Sequence, residues 1–294
     1  MENFCYDSFW HYCSRGLERE ILFSSADEFV AGMNRAAVCH LLSHKWEVSV
    51  KILAFCLMDN HFHFILCGSE ESCDRFANTY RRLTSYWIGK YRGTPLSEAM
   101  EQGHWPVSRA NLAEKIAYVL RNPLAAGMNY VPSGYRWSSG FLLFRDNSAL
   151  LEGAKKAEDI SLAYFRRITF SKEEPPVGWR VLPDGLIWPG DYVDASFCEK
   201  IFGTPGQYMF MMNNRNVDRA TEEVMSAGSI SLPDSEVRLR ASELANGLGK
   251  ERVSLCSAGE RILIARALRK ELGCNKKQLA RITGLKVSDL EALV

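Results

Sequence analysis

Two β-rich runs separated by a short turn constrain the fold of this chain more than any other feature of its sequence. The runs cover residues 46–56 and 61–67, and residues 57–60, Leu-Met-Asp-Asn, connect them. Aspartate and asparagine tolerate the backbone conformations of tight turns, so this arrangement is typical of a β-hairpin. The sequence therefore predicts a pair of antiparallel strands at this position.

The segments on either side of the hairpin predict further strands and helices. Phe9–Ser14 alternates as a strand does, and a helix-period stretch follows Ser25, a residue typical of a helix N-cap. Helices are also predicted over residues 72–91 and 108–121, with a loop at residues 104–106 between them. This order of elements favours an α+β fold in which a mostly antiparallel, ferredoxin-like sheet carries helices on one face.

The length of the chain and its changing character predict three regions. At roughly 150 residues per domain, 294 residues correspond to about two domains. We expect an α+β domain over residues 1–145, a connecting region over 146–230 and a helical region over 231–294. In the last region, short helices over 276–283 and 287–293 flank a glycine-containing turn, which is typical of a helix-turn-helix.

The overall composition argues against several classes of protein. Lysine and arginine number 36 against 35 aspartates and glutamates, so the net charge of +1 gives no general indication of nucleic-acid binding. Nine cysteines, an odd number without a C-x-x-C pair, favour a reduced cytoplasmic protein. The longest apolar run, residues 52–58, is too short to span a membrane, and the first residues lack the basic segment of a secretory signal.

Basic residues are concentrated in the C-terminal helical region. Residues 261–286 contain eight lysines and arginines and a single acidic residue, Glu271. Such a stripe is typical of a surface that contacts a phosphate backbone, and it is equally typical of a solvated helix face. Of these side chains, we expect Lys276, Lys277 and Arg281 to position a DNA backbone.

His61 and His63 form the sharpest chemical signal, because they flank Phe62 on a predicted strand. Successive strand side chains point to opposite faces, so the two imidazoles project from the same face. Two neighbouring neutral imidazoles can bind a divalent metal ion. The alternative is a pair of half-exposed strand histidines that bind no ligand.

Tyr118 and Asn122 form a second signal, four residues apart on one face of a predicted helix. Asn122 offers an amide oxygen, a suitable ligand for Mg²⁺ or Mn²⁺. Tyr118 offers a phenol that becomes a nucleophile when activated, and the alternative is a core tyrosine with a satisfied hydroxyl. Together with His61 and His63, these residues suit attack by a phenol on a metal-polarised phosphodiester.

Other tyrosines compete for the role of nucleophile. Tyr80, Tyr86 and Tyr91 lie on the preceding predicted helix. Tyr80 belongs to the apolar stripe of that helix, which predicts a position in the core. Tyr86 has a cation, Lys90, one turn away where Tyr118 has a ligand-type residue. We therefore favour Tyr118, with Tyr86 as the next candidate.

Four motifs, in this order, resemble the REP-associated tyrosine transposases, which belong to the single-tyrosine HUH transposases of bacterial insertion sequences. The motifs are SRGLEREILF, AFCLMDNHFHFIL, AYVLRNPLAAGMN and YRWSS, and the resemblance covers about residues 9–145. One departure is Asp59, where many relatives have proline, and we expect it to change the turn rather than the metal site. The tail from Gly259 to Val294 also resembles the helix-turn-helix found on some members of the family.

The resemblance implies a catalytic domain that nicks and rejoins single-stranded or hairpin DNA with Mg²⁺ or Mn²⁺. It implies His61 and His63 as metal ligands, Asn122 as a third ligand, and Tyr118 as the nucleophile that forms a 5′-phosphotyrosine and leaves a free 3′-hydroxyl. Guanidinium groups suit phosphate recognition, so four arginines are candidates to contact DNA phosphates: Arg15, Arg81, Arg82 and Arg121. The alternative for each of them is a solvent-exposed charge.

Several further residues have two interpretations. Trp105 and Trp137 are candidates to stack on unpaired bases, although core packing is the commoner role of tryptophan. His104 is a candidate for an additional ligand or proton shuttle. The predicted last helix carries Asp289 and Glu291, so we expect contacts to the DNA backbone rather than reading of base sequence.

Three functional hypotheses follow from these observations. The first is a cytoplasmic transposase-type nuclease, acting as a monomer or a homodimer and having no membrane partner. The second is a non-catalytic regulator that binds nucleic acid and retains the transposase fold. The third is an interaction protein whose basic tail binds an acidic partner.

Overall fold

A four-stranded antiparallel sheet forms the centre of the N-terminal half of the molecule. The computed structural model describes residues 8–14, 21–46, 49–96, 100, 102–126, 128, 131–213, 234–274, 276–286 and 289–290. The strands are β1 (Phe9–Ser14), β2 (Lys51–Leu57), β3 (Phe62–Cys67) and β4 (Gln102–Val107), in the spatial order β2-β3-β1-β4. The predicted hairpin is confirmed, because β2 and β3 pair directly across the turn at residues 57–60.

Alternation along the strands gives the sheet two chemically different faces. We call one of them the apolar face, and it carries Tyr12, Phe62, Phe64 and Leu66. We call the other the histidine face, and it carries His11, Cys13, His63, Ile65 and Cys67. A single strand, β3, thus supplies side chains to both layers of the molecule.

Two long helices cover the apolar face. They are α1 (Ala26–Ser43) and α2 (Glu70–Arg92), and both contribute buried side chains to the core on this side. The side chain of Ser25 accepts a hydrogen bond from the backbone N–H of Glu28, so the predicted N-cap of α1 is confirmed. Helix α2 ends at Gly93, whose φ of 74° is a left-handed conformation that glycine adopts without strain.

Helices also cover the histidine face, so the prediction of helices on one face only is wrong. The helices that follow β4 are α3 (Leu112–Leu120), α4 (Asn122–Ala125), α5 (Leu162–Thr169), α6 (Ala195–Phe202) and α7 (Pro205–Asn213). Of these, α3, α6 and α7 pack on the histidine face. The second layer is needed because β2 and β3 are buried on both faces, and buried apolar side chains require cover on each side.

The helix predicted over residues 108–121 begins later and ends one residue earlier. The side chain of Ser108 caps a short 3₁₀ turn, Arg109–Asn111, and α3 starts directly after it. Helix α3 ends at Leu120, and the chain resumes as the single turn of α4, with Pro123 in its first turn. A proline is tolerated there because the first-turn N–H groups have no partner within the helix.

Strand β4 was not predicted, since residues 104–106 were expected to form a loop. Gly103 and Pro106 disfavour a strand when the segment is considered alone. The segment nevertheless pairs with β1 over its whole length. It forms the edge of the sheet, where a proline without an N–H is tolerated because one side of the strand has no neighbour.

Residues 146–213, which belong to the predicted connecting region, pack into the cores on both sides of the sheet. The core of the apolar face includes Phe165, Trp188 and Tyr192. The core of the histidine face includes Cys198, Phe202 and Tyr208. A small sheet of β5 (Lys155–Lys156) and β6 (Arg180–Val181) also lies here, and residues 214–230 lie outside the described residues.

The C-terminal region forms its own apolar cluster from α8 (Asp234–Gly247), α9 (Ala258–Leu272) and α10 (Lys276–Thr283). Ser257 caps α9 through a reciprocal capping box with Glu260. Helix α10 confirms the first of the two predicted short helices. Most of the second, predicted over 287–293, lies outside the described residues.

The structure confirms an α+β fold with a four-stranded antiparallel sheet and many helices. In the part of the chain that the structure describes, no helix combines the length and the apolar content needed to cross a membrane. The described cysteines are free thiols, and Cys13 is the one among them that is partly exposed.

Candidate active site on the histidine face

His61 and His63 lie side by side where the hairpin turn leads into β3. His63 is buried on the strand, whereas His61 directly precedes it and is half-buried. Their ring centroids are 4.8 Å apart, and the ring planes are nearly perpendicular at 82°. The Nδ1 atom of His61 lies 2.8 Å from Oδ1 of Asn60, a contact that orients the His61 ring.

The end of α3 brings Asn122 and Tyr118 to the two histidines. The Asn122 side chain forms hydrogen bonds with both His61 and His63. Its Nδ2 group donates to the carbonyl oxygens of Tyr118 (3.1 Å) and Val119 (3.3 Å), which leaves Oδ1 to face the imidazoles. The Tyr118 ring packs edge-on against the His63 ring at a centroid distance of 5.9 Å. The four residues singled out in the sequence therefore lie together.

His11 is a third imidazole at this place, and the sequence did not indicate it. Its Nε2 atom lies 3.0 Å from Nδ1 of His63, and the two rings stack with centroids 5.3 Å apart. One of these nitrogens carries the proton, so His11 helps to set the tautomer of His63. The His11 ring also meets the edge of Tyr118 at 5.8 Å. Alternation along β1 was visible in the sequence, but its register against β3 depends on long-range pairing.

Burial keeps the three imidazoles uncharged at neutral pH. It lowers the pKa of His11 and of His61 to about 4, and it lowers the pKa of His63 well below its ordinary value. Positive charges act in the same direction, Lys115 on His11 and His63 and Arg281 on His61. The neutral imidazole is the form that binds metal ions, so this environment suits a ligand role.

His61, His63 and Asn122 bring two imidazoles and one amide group together. Such a set fits Mg²⁺ or Mn²⁺ and leaves coordination positions for water and substrate. Among the described residues, no three His, Cys, Asp or Glu side chains group as a metal centre. Nε2 of His63 faces Sγ of Cys13 at 3.8 Å, so binding a metal ion through this nitrogen requires His63 to leave that contact.

Lys115 is a second residue that the sequence analysis missed. It precedes Tyr118 by three residues on α3, and its Nζ atom lies 4.9 Å from the centre of the Tyr118 ring. The i, i+3 spacing was sufficient to bring the two side chains together on one helix face. A lysine here gives the site a cation that attracts a phosphate group.

Of the arginines predicted to contact phosphates, those that the structure describes lie across the sheet or are buried. Arg81 and Arg82 lie on α2, across the sheet, and Arg81 donates to the carbonyl oxygen of Met100. Arg121 is 1% exposed, so its guanidinium group is not presented on the surface. Arg15 lies outside the described residues.

The C-terminal basic residues differ in their surroundings. Arg281 forms a two-pronged ion pair with the buried carboxylate of Asp234, at 2.8 and 3.0 Å, and Gln278 donates to the same carboxylate. Lys276 begins α10 and is half-buried, and the side chain of Lys277 lies outside the described residues. Arg281 therefore has a structural partner in addition to the DNA role predicted for it.

Asp59 joins the hairpin turn to the C-terminal helices. Its Oδ2 atom accepts a hydrogen bond of 2.8 Å from the backbone N–H of Asp234, at the start of α8. Burial, followed by the charge of Asp234, raises the pKa of Asp59 to about 7. The residue that departs from the transposase pattern is thus the point where α8 contacts the turn directly before His61.

The competing tyrosines lie on α2, on the other side of the sheet. Tyr80 is buried against Phe62 and Phe64, with centroid distances of 4.8 Å to each ring, as its place in the apolar stripe predicts. Tyr86 and Tyr91 are exposed on the same helix. The sheet separates all three from His61 and His63, whose partners lie on the histidine face.

His104 and Trp137 contact other side chains of the protein, whereas the Trp105 ring is largely exposed to solvent. The Nε2 atom of His104 lies 3.2 Å from Oε1 of Glu70, which belongs to α2 across the sheet. The Trp137 ring stacks on Phe29 at 4.9 Å. Trp105 is 53% exposed beside His11.

Comparison with solved structures finds a distant similarity. Neither the protein-family models nor the curated proteins give a match to this chain. Among solved structures, the chain is similar to a REP-associated tyrosine transposase bound to a REP hairpin. The two chains are 10% identical, the TM-score is 0.35, and the match covers 48% of this chain and 82% of the other. This is a distant structural relationship, too weak to assign a family.

Proposed function

We propose that this protein is a transposase-type endonuclease and strand transferase that acts on single-stranded or hairpin DNA. One observation carries the proposal: a half-buried tyrosine, Tyr118, lies beside a cluster formed by His61, His63 and Asn122. This combination of a phenol with two neutral imidazoles and an amide suits phosphodiester exchange. The four sequence motifs that resemble the REP-associated tyrosine transposases support the same function.

Tyr118 is the nucleophile in this proposal. Its Oη atom attacks a backbone phosphorus, the bond from phosphorus to the 3′ oxygen breaks, and a bond from phosphorus to Oη forms. The phenol loses its proton and the departing 3′ oxygen gains one, so the products are a 5′-phosphotyrosine and a 3′-hydroxyl. One phosphodiester replaces another, so the reverse attack by a 3′-hydroxyl rejoins DNA without an external energy source.

The neighbours of Tyr118 hold the reacting groups. His61, His63 and Asn122 would bind the Mg²⁺ or Mn²⁺ ion, which when bound withdraws charge from the phosphoryl oxygens. His11 orients His63 through its ring nitrogen, and Lys115 offers an ammonium group beside the Tyr118 ring.

The finer features of the fold belong to the same proposal. We take the sheet, with its order β2-β3-β1-β4, to be the ferredoxin-like core of the catalytic domain. We take α9 and α10 to be part of a helix-turn-helix-like unit whose basic residues contact the DNA backbone. The free thiols of the described cysteines fit a reducing cytoplasm.

The test is formation of a covalent protein–DNA adduct. The protein is incubated with 3′-labelled hairpin or single-stranded DNA and Mn²⁺, and we expect the label to move to the protein while a fragment with a free 3′-hydroxyl is released. Tyr118→Phe should abolish the adduct, and EDTA should prevent it. Tyr86→Phe is the matched control, because Tyr86 is exposed across the sheet. An adduct that survives in Tyr118→Phe would assign the nucleophile to another tyrosine.

A second candidate function is a non-catalytic regulator that binds nucleic acid. It is favoured by the contacts of His63, whose ring nitrogens already face His11 and Cys13. In that case DNA binding would be unchanged by EDTA, and no hairpin would yield an adduct.

A further inference from the structure

Trp105 lies at the open edge of the sheet beside the candidate active site. It belongs to β4, whose neighbour in the sheet is β1, and its partner across the strands is His11. The indole and imidazole centroids are 5.5 Å apart with an interplanar angle of 31°. The indole is 53% exposed, although burying a tryptophan side chain usually stabilises the folded protein. An exposed indole beside the candidate active site indicates a surface that binds a ligand.

Gly103 explains how the Trp105 ring is held. A Cβ atom added to Gly103 would lie 2.8 Å from Cη2 of the indole, closer than two carbons can approach. The ring therefore lies over the backbone of Gly103, two residues away on the same strand face. With Gly103 beneath it and His11 at its side, the indole is a fixed platform whose remaining surface is open to solvent.

Lys115 is a nearby cation, and it lies on α3 beside Tyr118. Its Nζ atom is 4.9 Å from the centre of the Tyr118 ring, and it is half-buried on α3. Its charge also contributes to lowering the pKa of His11 and of His63. None of the ion pairs formed within the described part of the chain includes Lys115. A cation without a carboxylate partner at this position is suited to a phosphate group.

We infer that Trp105 and Lys115 form a nucleotide subsite, in which an unpaired base stacks on the indole and its phosphate is bound by the ammonium group. The inference rests on the proposed function, and it deepens it by naming where the strand beside the reacting phosphodiester lies. His11 links the two groups, because its ring contacts Trp105 at 5.5 Å and also contacts Tyr118, the neighbour of Lys115, at 5.8 Å. A base bound here is therefore next to the phosphate that Tyr118 attacks.

The chemistry of the subsite favours a single strand over a duplex. Stacking on an indole requires an open base face, which a paired base inside a duplex does not offer. Every base has such a face, so the subsite tolerates different sequences. The lysine contributes a contact with the backbone that carries no sequence information.

The test measures binding rather than cleavage, so that it stands apart from the test of catalysis. All variants are made in the full chain with Tyr118→Phe, and a short single-stranded oligonucleotide carries 2-aminopurine at one position at a time. We expect quenching of 2-aminopurine fluorescence at one position of the strand, and loss of that quenching in Trp105→Ala. Trp105→Ala should weaken binding about 5- to 150-fold, whereas Trp105→Phe should retain most of the affinity.

Two further variants separate the subsite from general effects. Lys115→Met should reduce the slope of log affinity against log salt concentration by about one, as expected for one lost phosphate contact. Tyr91→Ala is the matched control, since Tyr91 is 55% exposed across the sheet and its loss should not change binding. The subsite would be refuted if the protein that retains Trp105 bound the oligonucleotide but quenched 2-aminopurine at no particular position. This outcome does not depend on whether Trp105→Ala folds.

The outcomes distinguish the subsite from the proposed function. An adduct at Tyr118 combined with unchanged binding by Trp105→Ala would leave the nuclease standing and refute the subsite. Position-specific quenching and Trp105-dependent binding without any adduct would support the subsite in a protein that binds single strands and does not cut them.

Discussion

The two faces of the sheet carry different chemistry although the same strands build them. On the apolar face, Phe64 of β3 contacts the rings of Phe62, Phe76 and Tyr80. On the histidine face, the next residue back along β3 is His63, which contacts two further imidazoles and a tyrosine. One set of β3 side chains therefore packs in the apolar core, and the other set contributes to the candidate active site.

This difference indicates how a cluster of polar side chains can be held in place on one face of a sheet. The aromatic side chains on the apolar face fix β1 and β3, and the position of each histidine follows from the strand that carries it. Polar side chains on the histidine face are then oriented by contacts with one another, such as that of His11 with His63, and by hydrogen bonds to backbone carbonyls, as for Asn122. Substitutions on the apolar face should thus lower the free energy of unfolding, whereas substitutions on the histidine face should change the geometry of the candidate site.

The largest effect is expected on the apolar face. Phe64→Ala removes a fully buried ring that contacts Phe55, Phe62, Phe76 and Tyr80. We expect the free energy of unfolding to fall by about 3–5 kcal/mol, measured by urea denaturation, because the substitution leaves a cavity in a packed core. Phe64→Leu fills most of that volume and should cost only about 1 kcal/mol.

The histidine face should show the opposite response. His11→Phe keeps a ring against Trp105 and Tyr118 but removes the nitrogen that meets Nδ1 of His63 at 3.0 Å. If the protein is the nuclease proposed above, the rate of adduct formation should fall about 10- to 100-fold, as for other residues that orient a metal-binding histidine. The free energy of unfolding should fall by about 1–3 kcal/mol, less than for Phe64→Ala, because Nδ1 of His63 stays buried without its partner.

His11→Gln is the conservative control, because an amide can still meet the nitrogen of His63. It should recover part of the rate that His11→Phe loses, and a purely steric role for His11 predicts no such recovery. Full activity in His11→Phe would mean that His63 needs no orientation from β1. A large loss of stability in the same variant would mean that the two faces do not respond separately.

Local sequence signals were sufficient for the elements that frame the site. The turn residues at 57–60 and the N-cap at Ser25 follow from side-chain hydrogen bonding close in sequence. The four-residue spacing of Tyr118 and Asn122 is also a local property, and it is the reason that both reach the same point at the end of α3.

The features that the sequence did not predict depend on contacts between residues far apart in the chain. Residues 104–106 have weak strand propensity, and they form β4 because the edge of β1 was available for pairing. The contact of His11 with His63 depends on the register between β1 and β3, and the contact of Asp59 with Asp234 joins residues far apart in the chain. Arg121 was expected to contact DNA because arginine suits phosphates, but its burial depends on packing that composition does not report.

The smallest effect concerns a half-buried imidazole that lies outside the histidine face. His40 of α1 has Nδ1 3.0 Å from the carbonyl oxygen of Val50, and burial, together with the charges of His44 and Lys51, lowers its pKa to about 4. Between about pH 6.5 and about pH 4 the unfolded chain therefore binds a proton that the folded protein does not, and the free energy of unfolding falls as the pH decreases through this window. We expect this one residue to contribute a loss of about 1–2 kcal/mol between about pH 7.5 and about pH 5, measured by urea denaturation. His40→Asn keeps a donor for the carbonyl oxygen of Val50 and removes the titrating group. The free energy of unfolding of this variant should therefore lose about 1–2 kcal/mol less between about pH 7.5 and about pH 5. An unchanged pH dependence would mean that His40 takes up its proton in the folded protein, and that its surroundings do not lower its pKa.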